Sequence, residues 1–110
     1  MLKELRFKIG EQYELNEFNL ESLESTFING LEYESYEYIK NDFKALFGVE
    51  FSKNIILQYN ADILSRVVYE FDIAKLNIVK DKLNQFNCKK LKLELIKNND
   101  RCNLLVSKKE

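Results

Sequence analysis

A chain of 110 residues, 45% hydrophobic and 32% charged, is sized for a single domain over 1–110 with a core of its own and no need of disulfide or metal staples. It contains no histidine, which removes the commonest general base and the imidazole metal ligand, and its three glycines and two cysteines supply neither a phosphate-cradling loop nor a four-ligand zinc site. The net charge of −1 conceals an asymmetry: residues 1–50 carry 11 acidic and 5 basic side chains, residues 51–110 carry 7 and 12, and no lysine or arginine occurs between Lys8 and Lys40.

Leu5, Phe7 and Ile9 alternate with Glu4, Arg6 and Lys8, a period of two that predicts a half-buried strand. Asn19 is placed to cap a short helix with Leu20, Leu23 and Phe27 on one face, and Asn29-Gly30 is placed to stop it. Tyr36, Ile39, Phe43, Leu46 and Phe47 then form one apolar stripe at helical spacing, with Gly48 as the stop. Ile55, Leu57 and Tyr59 read as a strand and Asn60-Ala61-Asp62 as a turn.

The segment 63–71 fits two patterns, since Ile63, Leu64, Val67, Val68 and Phe71 also make a helical stripe. Its β-branched and aromatic content favours a strand, and a strand leaves Asp72 free to cap a helix over 73–86 that turns Leu76, Val79, Leu83 and Phe86 inward. Leu91, Leu93 and Leu95 pair with Cys102, Leu104 and Val106 in a terminal hairpin around Asn98-Asn99-Asp100. A two-residue turn at Asn98-Asn99 sets Cys102 opposite Leu95, so Cys88 and Cys102 are expected to stay reduced. The resulting order, βααββαββ, predicts an α+β fold of ferredoxin-like pattern, an antiparallel sheet with its helices on one face.

The N-terminus has no apolar signal region and no run approaches the ~18 apolar residues of a membrane span, so a soluble protein of the cytoplasm, of a cell or of an infected host, is expected. Abundant lysine and asparagine with little alanine suit an AT-rich source such as a low-GC bacterium, its phage or a plasmid. Carboxylate and lysine chemistry survives the absence of histidine, and a magnesium-dependent nuclease needs no more than Asp, Glu and Lys. Asp62, Glu70, Asp72, Lys75, Glu94 and Lys97 are the candidates, but their spacing is loose and they read as turn, cap and surface residues. No catalytic residue, cofactor or metal is therefore expected.

Two binding faces remain. The first is acidic: Glu21, Glu24, Tyr33, Glu34, Glu37, Tyr38 and Asp42. On a helical wheel Tyr38 points away from the apolar stripe, an exposed tyrosine anchor among carboxylates that suits a protein partner with a basic surface. The second is basic: Arg6, Lys8, Arg66 and Lys92 on the open side of the sheet, a candidate nucleic-acid face. Its aromatics, Phe7, Tyr59, Tyr69 and Phe71, fall on the alternate positions that face the core, which removes a base-stacking platform. A homodimer through a sheet edge, with 102–106 as the pairing strand, is a further option. The leading expectation is a non-catalytic, protein-binding inhibitor, immunity protein or anti-defence factor.

Overall fold

The computed structural model describes residues 7–40, 45–46, 49–50, 54–85 and 90–108. Asn29-Gly30 sets the architecture of the N-terminal half. Both residues take positive φ, 51° and 82°, the backbone that a two-residue hairpin turn requires, and the chain doubles back through them. Before the turn lie β1 (Leu20–Ser22) and β2 (Thr26–Ile28), two pieces of one edge strand; after it comes β3 (Leu31–Tyr38), antiparallel to both. A two-stranded ladder of β4 (Ala45–Leu46) and β5 (Val49–Glu50) follows. Next come the hairpin of β6 (Ile55–Asn60) and β7 (Ile63–Asp72), the helix α1 (Leu76–Asn84), and the hairpin of β8 (Leu91–Asn98) and β9 (Arg101–Lys108).

The main sheet has seven strands in the order β1-β3-β6-β7-β9-β8, with β2 also beside β3, and every neighbouring pair is antiparallel. With one α-helix among the described residues and mainly antiparallel sheet, the chain is not the ferredoxin-like α+β fold its sequence pattern suggests. The two N-terminal helices expected over 19–28 and 36–47 are strands wherever they are described, apart from connecting residues; Phe43 and Phe47 lie outside the described residues. The left-handed backbone of Asn29-Gly30 serves a helix stop and a hairpin turn equally well. Only three alanines occur in the chain, and the tyrosine-rich 31–38 segment suits a pleated surface better than a helix. The strand expected around Phe7 also fails where it is described, because 7–9 are irregular and 1–6 lie outside the described residues.

The central and C-terminal elements follow the sequence pattern more closely. Residues 63–71 are strand. The Asp72 carboxylate accepts the Ala74 N–H at 3.0 Å and opens a 3-10 turn, Ile73–Lys75, that runs into α1. The terminal hairpin turns one residue later than expected, at Asn99-Asp100, so Cys102 sits opposite Lys97 and Leu95 opposite Leu104. Cys102 is a buried free thiol, and Cys88 lies outside the described residues.

The core lies on one face of the sheet. Cross-strand register carries Leu57, Val67 and Val106 across three strands in one row, and Ile55, Tyr69 and Leu104 in the next. Val79 of α1 and Leu46 and Val49 of the small ladder belong to the same buried cluster. Each such side chain contributes about 1.5–3 kcal/mol when fully buried. Between Gln58 and Tyr59 the register shifts, and Ser65 becomes the extra residue of a bulge. The bulge is why both Leu64 and Val67, three apart, point inward. Residues 10–13 run alongside the start of β7, with Gly10 N–H donating to the Leu64 carbonyl and Leu64 N–H to the Glu11 carbonyl, each at 2.8 Å. That pairing brings the Tyr13 ring to 5.1 Å from Tyr36 and 5.5 Å from Tyr59. No helix among the described residues is long and apolar enough to cross a membrane.

Candidate functional site

The acidic stretch of the sequence folds into one edge of the sheet. Strand alternation sorts its side chains between two faces. Glu21, Glu37, Ile56, Val68, Leu105 and Glu94 form one continuous row across the face away from the core, and Ser35, Gln58, Arg66, Ser107 and Lys92 form the row beside it. Glu21 and Glu37 therefore stand directly opposite one another at the edge. Glu24 is exposed in the break between β1 and β2, and Glu32 and Glu34 are exposed on β3.

The two tyrosines expected at this site separate. Tyr38 is 8% exposed and packs edge-on against Phe7, with ring centroids 4.8 Å apart. It is a core residue and not an interface anchor, because a strand's period of two turns it inward where a helix's period would have turned it out. Tyr33 lies on the outer face, with the Arg66 guanidinium 5.8 Å above its ring, within the range of a cation–π contact. Asp42 is outside the described residues.

The structure also brings forward residues that the sequence pattern had assigned to a buried stripe or left out. Phe18 is 89% exposed and Phe27 71%. Of the nine large apolar side chains exposed among the described residues, six (Leu15, Phe18, Leu23, Phe27, Leu31 and Ile39) come from 15–39. That is the same stretch that lacks any lysine or arginine. Phe18 leads into β1 at one end of the edge strand, and Phe27 stands opposite Glu32 near the hairpin turn at the other. The Asn-Gly turn signal, taken as a hairpin, would have exposed this edge in the sequence.

Among the tyrosines behind the edge, the Tyr36 hydroxyl donates to the Glu34 carboxylate at 3.0 Å. Burial, then this bond and the nearby Glu34 charge, push the Tyr36 hydroxyl up to about 12. Burial likewise pushes Tyr59 up to about 12 and raises Tyr69. All three phenols are neutral at physiological pH.

Family models, curated proteins and solved structures provide no match to this chain.

The basic candidates separate. Arg66 and Lys92 share the outer row, whereas Lys8 sits in the N-terminal segment with its backbone N–H on the Glu11 carboxylate, and Arg6 is outside the described residues. Carboxylates share the face: Lys92 pairs with Glu94 at 3.4 Å and Arg101 with Glu70 at 3.5 Å. Behind Arg66, the buried Gln58 amide donates to Ser35 Oγ at 3.2 Å and Thr26 Oγ1 at 3.4 Å. The nuclease candidates are dispersed: Asp62 is a turn residue, Glu70 faces Arg101 and Asp72 caps the helix. Among the described residues no three Asp, Glu or Cys side chains cluster as metal ligands.

Proposed function

We propose that this chain is a non-catalytic binding protein that docks the acidic β1–β2 edge onto a partner with a basic surface. The carrying observation is the exposure of Phe18 and Phe27 on an edge that also presents Glu21, Glu24 and Glu32. Aromatic anchors dominate binding energy, and a single sign of charge steers a cationic partner into contact. A protein of this kind acts by occupying its partner's surface, as small inhibitors, immunity proteins and anti-defence factors do.

The test is affinity capture from a host lysate with the native chain and with a Glu21→Lys, Glu24→Lys, Phe27→Ala variant whose circular dichroism matches the native spectrum. The expected result is a basic protein retained by the native chain, released by moderate salt and lost from the variant. Equal capture by both chains rejects the edge as the binding surface.

A second reading has one observation in its favour. Arg66 lies over Tyr33 in the same row as Lys92, with its Nη1 buried and without a hydrogen-bond partner among the described residues, a pairing of guanidinium and aromatic ring that suits a nucleic-acid base or phosphate. It ranks second because Glu21, Glu37 and Glu94 share that face. A mobility-shift series in increasing salt, with single-stranded RNA and DNA, decides it: no salt-dependent binding removes this reading.

A further inference from the structure

The two edges of the sheet are built differently. The β1–β2 edge is broken after three residues at 23–25, an interruption of the kind that protects a sheet from adding strands. The opposite edge, β8, has no such device. All eight of its residues pair in unbroken register with β9, and among the described residues it has a neighbour on one side only. Its sequence, LKLELIKN, holds no proline and no glycine. Leu91, Leu93 and Leu95 pack against the core and are only partly covered, while Lys92 and Glu94 stand on the outer face.

We propose that β8 pairs antiparallel with β8 of a second copy of this chain, about a two-fold axis at Leu93. The register follows from three requirements. A two-fold placed between residues sets leucines opposite charged side chains, because a one-residue slip reverses every side chain's face. A two-fold on Lys92 sets Lys92 against itself, and one on Glu94 sets Glu94 against itself, both repulsive. A two-fold on Leu95 sets Leu93 opposite Lys97. The axis at Leu93 sets Leu91 opposite Leu95 of the second copy, continuing the core face of one sheet into the other. It also sets Lys92 opposite Glu94 of the second copy, twice by symmetry. The Lys92–Glu94 contact at 3.4 Å within one chain shows the two side chains on one face, where the exchanged pairs form. The contact is isologous and closes at two copies. It leaves the acidic edge, at the far side of the sheet, open to its partner.

The test is sedimentation velocity and light scattering of the full chain over a concentration series, with Lys92→Glu, Glu94→Lys and the double exchange Lys92→Glu/Glu94→Lys. The expected result is a monomer–dimer equilibrium in which each single substitution, by turning two attractive pairs into two repulsive ones, raises the dissociation constant roughly tenfold. The double exchange returns it to near the native value. Both positions are on the outer face at the edge, so the singles are expected to keep the native fold, and their circular dichroism checks this. A monomer at every concentration overturns the proposal. So does an assembly larger than two, a dimer indifferent to the single substitutions, or one that the double exchange fails to restore. None of these outcomes bears on binding through the acidic edge, which the Phe27 variant tests separately.

Discussion

Glu21 and Glu37 face one another directly across the β1–β3 pairing, at the rim of the sheet's outer face. Like charges in opposite positions of an antiparallel pair destabilise it, and neither residue has an ion pair among the described residues. A cation arriving from a partner relieves that repulsion, whereas a neutral partner does not. Replacing Glu37 by Gln is therefore expected to raise the unfolding free energy in urea by about 0.5 kcal/mol while weakening capture of a basic partner. A stability that falls on substitution contradicts the repulsion argument.

The exposed aromatics and the buried ones are expected to separate cleanly in unfolding experiments. Phe18→Ala and Phe27→Ala remove side chains that stand in solvent and should change stability by less than about 0.5 kcal/mol. Leu57→Ala removes a fully buried side chain in the middle of the sheet and should cost about 2–5 kcal/mol. If Phe27→Ala costs as much as Leu57→Ala, Phe27 is part of the fold and not of an interface.

Ala61 is strained. It begins the β6–β7 turn with φ of 50°, followed by Asp62 at 65°, a conformation that costs a residue with a Cβ roughly 1–2 kcal/mol. Ala61→Gly removes that cost and gives back part of it as added freedom of the unfolded chain. The net expectation is a stabilisation of up to about 1 kcal/mol, read as a higher midpoint in thermal or urea unfolding.

Alkaline pH provides a test of the tyrosine cluster. Tyr36 and Tyr59 ionise near 10.0 in the unfolded chain and near 12 in the folded one. Between those values the unfolded state loses its phenolic protons first, so unfolding is favoured as pH rises. The stability contributed by these groups is complete below pH 10.0 and is lost progressively up to about 12. Ultraviolet titration should show delayed phenolate formation, and Tyr36→Phe should make the alkaline loss shallower. A Tyr36→Phe protein with an unchanged alkaline profile would show that the bond to Glu34 and the burial of this ring do not matter to stability.

Much of the second half of the fold was legible in the residues. The alternation of Ile55, Leu57 and Tyr59, the turn after Asn60, the cap at Asp72 and the leucines of β8 each state a local preference that the folded protein keeps. The first half was not, because its decisive signal is ambiguous. Asn29-Gly30 advertises a left-handed backbone and nothing about what lies on either side of it. With helices on either side of it, the wheel of 36–47 turns Tyr38 to solvent and that of 20–27 turns Phe27 to a core; with strands on either side, Tyr38 packs against Phe7 and Phe27 is exposed.

The charge asymmetry, the missing histidine and the scarcity of glycine belong to the sequence alone. What only the tertiary structure decided is which surfaces the residues form. Composition places Glu21 and Glu37 in the same acidic stretch, but strand register puts them face to face and sets Phe27 opposite Glu32. Charge is a property of residues, whereas juxtaposition depends on pairs separated along the chain, and a one-residue change of register or a change of period from 3.6 to 2 reverses which side chains meet.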